Sequence, residues 1–146
     1  MREHMGLYRG KRIDNGEWVE GAYMPSYYSS RYGKVAAIFI NDDVLCKTYR
    51  YPVDPDTVGE CCGGLRDKNG KLIFEGDICQ IKNHPFIDET PFVIEWNDFA
   101  YNGWTWKDFD EISAVGAFTK GAAAFSEIIG NIHDNPELLK GGEGDG

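Results

Sequence analysis

The sequence predicts a mainly β fold: small, barrel-like antiparallel sheets with tight hairpins, and a short C-terminal helix. Three observations predict it. Eighteen glycines stand among eight phenylalanines, eight tyrosines and four tryptophans, a mixture of turn formers and strand formers that many short strands require. Turn pairs recur at Asn15-Gly16, Asn69-Gly70 and Glu75-Gly76. The clearest helix start is near the end, at Asn135-Pro136-Glu137. With 146 residues the chain fits one domain or two small ones, and it can bury a core without disulfide staples.

Taken in order, residues 7–24 read as a hairpin, because Asn15-Gly16 supplies the positive φ of a tight turn. Trp18 and Val19 favour strand, and Gly21 reads as a bulge. Residues 25–34 are expected to form a polar, tyrosine-rich connection. Residues 35–40 form an apolar strand and 41–43 a turn. Residues 44–51 place Leu45, Lys47, Tyr49 and Tyr51 on one parity, and Pro52 is expected to end this strand, having no N–H for a ladder. Residues 53–59 open with a proline-stiffened turn. Residues 63–74 read as strand, turn, strand, with Gly70 left-handed after a type I turn. Glu75-Gly76-Asp77 is a second turn, leading to 78–81, where Cys79 and Ile81 share a face. Residues 82–91, with Pro85 and Pro91, read as loop and 92–96 as strand. In 111–127, Ala122, Ala123 and Ala124 favour helix while Gly116 and Gly121 weaken it. Residues 128–133 form a last strand. Asn135 then serves as N-cap, Pro136 opens the helix and Glu137 suits the positive end of its dipole. The organisation expected is a single domain over 1–140 and a flexible tail over 141–146.

The formal net charge is −9, and it is unevenly spread. Residues 1–60 hold 8 basic and 9 acidic side chains, whereas 61–146 hold 7 basic and 15 acidic. The acidity disfavours a duplex-coating role, which needs clustered positive charge. No run approaches the ~20 apolar residues of a membrane span, and the first residues carry no secretory pattern, so no membrane association and a cytoplasmic location are expected. Cys46, Cys61, Cys62 and Cys79 lack paired zinc spacings, and His4, His84 and His133 are scattered. They are read as ordinary thiols and isolated histidines, with no metal. No glycine-rich phosphate loop occurs, and no cofactor is expected.

Four constellations remain. Glu75 and Asp77 are too local for an acid–base pair and fit a solvated turn. Cys61 or Cys62 would be the first candidate nucleophile, yet neither sits in a catalytic signature; the chain is therefore read as no enzyme. Residues 96–111 join large rings to acids, and Trp96, Tyr101, Trp104, Trp106, Asp108 and Asp110 are the candidate protein-binding residues, because aromatic side chains dominate interface centres. Tyrosines and cations interleave over 27–51; Tyr28, Arg31, Tyr32, Tyr49 and Arg50 are the alternative, a stacking and basic surface for single-stranded nucleic acid. Exposed strand edges also leave a homo-oligomer open.

Three segments together resemble the YopX family of bacteriophage and prophage proteins. The first is 9–21, with Asp14-Asn15-Gly16-Glu17-Trp18. The second runs from Val53-Asp54-Pro55-Asp56-Thr57-Val58-Gly59 to Asp67-Lys68-Asn69-Gly70-Lys71 and Ile73-Phe74-Glu75-Gly76-Asp77-Ile78. The third is 129–139, with Gly130-Asn131-Ile132-His133-Asp134-Asn135-Pro136. The resemblance implies a mainly β fold with barrel-like sheets, encoded by a phage or prophage. It brings no activity and no catalytic residues. The chain departs from the family pattern at Glu60-Cys61-Cys62-Gly63-Gly64, where the resemblance implies an aromatic residue, a threonine and one glycine. The function expected is that of an accessory protein without enzymatic activity that binds a partner protein of host or phage.

Overall fold

The computed structural model describes residues 6–87, 89–97, 103–107 and 120–140, without the side chains of 97, 103–107 and 140. The fold is mainly β, with antiparallel pairing and two short helices. The chain divides into two compact units, Met1–Cys61 and Cys62–Gly146.

The first unit contains β1 (Tyr8–Arg12), β2 (Trp18–Ser29), β3 (Gly33–Asp42) and most of β4 (Lys47–Arg66). Each strand pairs with the next, and β1 also pairs with β4, so the four strands close into a ring. Closure removes the open edges that unpaired strands would present. The hairpin expected from Asn15-Gly16 forms: Gly16 has φ 76°, and the Arg12 N–H donates to the Glu17 carbonyl at 2.9 Å.

Three local expectations change here. Residues 25–34 are no loose connection, because β2 runs on to Ser29 and pairs Tyr28 with Lys34 across the hairpin. The irregularity in β2 falls between Met24 and Tyr27, not at Gly21. Gly21 serves close approach instead, since a side-chain carbon there would overlap the Phe39 carbonyl oxygen. Pro52 does not end its strand: it pairs with Ala37, and its carbonyl accepts the Ile13 N–H at 3.1 Å. The missing N–H is tolerated because only the acceptor is used. The proline-stiffened turn at 54–57 survives as a bulge inside β4, where the register shifts against β1. Thr57 Oγ1 closes it, donating to the Asp54 carbonyl at 2.6 Å and accepting the Lys11 N–H at 2.9 Å.

Ala36, Ile38 and Val53 are buried at the centre of the ring, flanked by Tyr8, Val19, Tyr23, Ile40 and Val58. The cross-strand pairs Ala36–Val53, Ile38–Tyr51 and Ile40–Tyr49 set this face, because directly opposed residues of antiparallel strands share a side.

In the second unit the end of β4 pairs with β5 (Leu72–Phe74), and a four-stranded sheet runs in the order β8 (Gly103–Lys107), β7 (Phe92–Asn97), β6 (Asp77–Ile81), β9 (Ser126–Asn131). Helix α1 (Lys120–Phe125) precedes β9, and α2 (Glu137–Lys140) follows the Asn135-Pro136 start. Asn135 accepts the Leu138 N–H through its backbone carbonyl at 3.0 Å, while its side chain turns back to the Asn131 N–H at 3.2 Å. The departure at Gly63-Gly64 has a conformational basis: both are left-handed, φ 59° and 78°, a consecutive pair that side-chain-bearing residues rarely adopt.

The core here is Cys62, Ile73, Cys79, Ile81, Phe92, Ile94 and Ala123. The four cysteines are thiols. Burial pushes the Cys79 thiol far up, with the Asp77 charge adding to it, so it packs as a small hydrophobe. The turn at Glu75-Gly76-Asp77 forms, but Asp77 is buried rather than solvated; its carboxylate accepts the Phe74 N–H at 2.8 Å.

Candidate functional site

A pair of exposed aromatic side chains stands in the second unit. It is built on the loop between β6 and β7 and the end of α1. His84 Nδ1 accepts the backbone N–H groups of Phe86 at 3.0 Å and Ile87 at 3.2 Å. Ile87 packs on the core, and the turn thereby points Phe86 outward, 90% exposed. Glu89 secures the start of the loop. Its carboxylate accepts the Asn83 N–H at 3.1 Å, and its carbonyl accepts from the Gln80 side chain at 2.6 Å. The His84 ring meets Phe86 edge-on at 6.1 Å and Phe125 edge-on at 5.5 Å; Phe125 is 61% exposed. Edge-on pairs contribute about 0.5–1.5 kcal/mol each beyond area burial, so the rings are held in place while still facing water. The only local signal for this patch is a phenylalanine in a proline-flanked polar loop; His84 looks isolated in the sequence because its meeting with Phe125 is tertiary.

The candidate protein-binding residues are only partly placed. Trp96 is 46% exposed, at the end of a row whose earlier members Phe92 and Ile94 are buried. In the register Trp96 stands opposite Trp104, and Ile94 opposite Trp106; the side chains of Trp104 and Trp106 lie outside the description. Tyr101, Asp108 and Asp110 lie outside the described residues.

The alternative residues lie in the first unit and do not form one surface. Tyr28, Arg31 and Tyr32 gather at the β2–β3 hairpin tip, where Tyr28 is 79% exposed and the Arg31 guanidinium lies over the Tyr32 ring at 5.2 Å. Tyr49 and Tyr51 stack on each other at 6.3 Å on the side of Ile38 and Ile40. Arg50 points to the opposite side, over Phe39 at 5.6 Å. Lys47 covers Tyr49 at 5.8 Å and Arg12 covers Tyr51 at 4.6 Å. These cations therefore cap this chain's own rings. Arg12 also binds Asp14 through paired hydrogen bonds of 2.9 and 2.7 Å, which hold the Asp14 carboxyl below its ordinary range.

A pocket of about 420 Å³ opens on the first unit, lined by Ile13, Pro25, Val35, Ala36, Val53 and Pro55 with Lys34. Among the described residues no group of His, Cys, Asp and Glu is arranged to hold a metal, and no helix is long and apolar enough to cross a membrane.

A search of curated proteins returns no significant match. Among solved structures, the chain is similar to the crystal structure of protein EF1440 from Enterococcus faecalis, with 22% identity, TM-score 0.51, and 90% of this chain and 96% of that one covered. That likeness shows the fold alone. A comparison with protein families matches residues 7–140 to the family described as YopX protein. The match spans nearly the whole chain and carries the three segments singled out in the sequence, so the chain belongs to the YopX family.

Proposed function

We propose that this chain is a phage- or prophage-encoded accessory protein that binds a partner protein and performs no chemistry of its own. The observation that carries the reading is the display of Phe86 and Phe125 around His84. Isolated surface phenylalanines are common, but Phe86 fixed by a hydrogen-bonded turn and Phe125 held edge-on against the same His84 ring form a ready apolar contact patch. Aromatic anchors of this kind contribute most of the affinity in protein interfaces. Trp96 adds a second half-exposed ring. The non-enzymatic part rests on two supports. Asp67 and Asp77 are engaged by backbone N–H groups, and the Cys79 thiol is pushed away from its reactive form. The phage origin rests on where the family occurs.

The test is affinity capture from infected-host lysate followed by native mass spectrometry, with wild type beside the Phe86→Asp, Phe125→Asp double variant. Wild type is expected to retain a stoichiometric protein that the variant loses. Capture of no stoichiometric protein, or equal capture by both, counts against the reading.

The exposed Tyr28, next to Arg31, Tyr32 and Lys34, favours a second reading as a binder of single-stranded nucleic acid. Titration of a labelled oligonucleotide at low salt, where phosphate contacts are strongest, decides it: no binding there removes it.

A further inference from the structure

We propose that copies of this chain associate head to tail, the β3–β4 hairpin tip of one copy entering the pocket on the first unit of the next. At the tip, Val44 is 91% exposed and Leu45 61% exposed. Both are held by one carboxylate oxygen: Asp42 Oδ1 accepts the N–H groups of Val44 and Leu45, each at 3.0 Å. Cys46 completes the turn in the left-handed region at φ 52°. The backbone that carries the two aliphatic side chains is thus pre-ordered, which lowers the entropy cost of docking the tip.

The pocket offers the matching surface. Pro25, Val35, Val53 and Pro55 give it aliphatic walls, Ile13 stands at its rim, and its volume is about 420 Å³. The charges match in both senses. Asp43 adjoins the tip and Lys34 lines the pocket, and neither has an ion-pair partner among the described residues. Lys47 stands at the base of the tip, while exposed Asp56 adjoins the pocket's Pro55. Complementary charge of both signs fixes register as well as attraction.

The two features cannot meet within one chain. Lys34, Val35 and Ala36 begin β3 and the tip follows its end, so they are roughly 25 Å apart at about 3.3 Å per residue. The contact is therefore heterologous, a tip on one copy and a pocket on another, and it propagates into a ring or a filament rather than stopping at a two-fold dimer. It uses neither Phe86 nor Phe125, so it stands or falls apart from the partner-binding reading.

Sedimentation velocity of the full chain, from micromolar to millimolar concentration, is the test. Wild type is expected to pass beyond a dimer as concentration rises. Leu45→Asp removes the tip and Ile13→Asp spoils the pocket rim; both positions are exposed, and each change is expected to weaken association about tenfold or more. Mixed together, the two variants should form a two-chain complex and nothing larger, because each supplies the half the other lacks. The exchange of Asp43→Lys with Lys34→Glu checks the charges independently: each single change weakens association, and both in one chain restore it. Wild type that stays monomeric, association unaffected by the variants, or a mixture that gives no two-chain complex overturns the proposal.

Discussion

The two units reach order by different means. In the first, the fully apolar centre is small, Ala36, Ile38 and Val53, and the closed ring of strands supplies much of the constraint. Its half-buried tyrosines are finished on the outside by cations lying over rings, Arg12 on Tyr51 and Lys47 on Tyr49. In the second, a larger buried cluster does the packing, and two buried carboxylates fix the connections. Asp67 alone accepts three backbone N–H groups, from Asn69 and Lys71 at 2.9 Å and Ile128 at 3.0 Å. The contrast teaches that a β unit can hold its turns either by closing its ladder or by spending a buried charge on backbone donors. The second device is sensitive to single substitutions, because every donor depends on one side chain.

The sharpest way to break that comparison is Asp67→Ala. It leaves three backbone donors without their acceptor, one of them in β9, and is expected to cost about 3–4 kcal/mol in urea unfolding. Hydrogen exchange should show lost protection at Asn69, Lys71 and Ile128. A loss under about 1 kcal/mol would mean that water replaces the carboxylate and that the two units differ less than their hydrogen bonds imply.

Next come paired core truncations. Ile73→Ala is expected to cost about 3–4 kcal/mol and Ile38→Ala about 2 kcal/mol, both within the usual span for buried isoleucine. Ile73 sits among fully buried neighbours that hold a cavity open, whereas Ile38 neighbours half-buried tyrosines that can lean in. Equal losses would remove the packing half of the contrast.

Gly21→Ala tests the ring itself. Its methyl meets the Phe39 carbonyl, so strands β2 and β3 must separate locally, at about 1–2 kcal/mol. The change should appear as a lowered thermal midpoint with weakened exchange protection along β3.

The smallest effect belongs to Asp14→Asn. The hydrogen bond from Arg12 holds the Asp14 carboxyl low, so its contribution is present above the ordinary carboxylate range. It is lost as the pH falls through the lowered folded value. The stability curves of wild type and variant should therefore separate above that range and merge at acid pH. Both groups face water, and only a minor separation is expected.

Local chemistry was readable wherever the cause was local. Gly16, Gly70 and Gly76 are left-handed, as their turns require, and Asn135-Pro136-Glu137 opens a helix. The same local reading failed where a distant strand supplied the constraint. Pro52 continues a strand because Ile13 needs only its carbonyl. Asp77 sits in a turn yet is buried. Tyr28 and Tyr49 stand at different places on the ring, Tyr28 opposite Lys34 at a hairpin tip and Tyr49 opposite Ile40. The Phe86–His84–Phe125 patch joins residues some forty positions apart, and spacing alone gives no access to such a meeting.

The sequence by itself determined the β class, the positions of the glycine turns, the final helix and the family. These depend on backbone preferences and on short runs of residues whose neighbours in the chain are also their neighbours in space. The tertiary structure alone decided that β1 closes on β4, that Gly21 is needed for contact rather than for a bulge, and that Asp67 reaches Ile128 across 61 residues. It also decided that Val44, Leu45, Phe86 and Phe125 face water while Tyr49 and Tyr51 are partly covered. Burial and register are properties of which strands meet, and a one-residue change of register exchanges every inward side chain for an outward one.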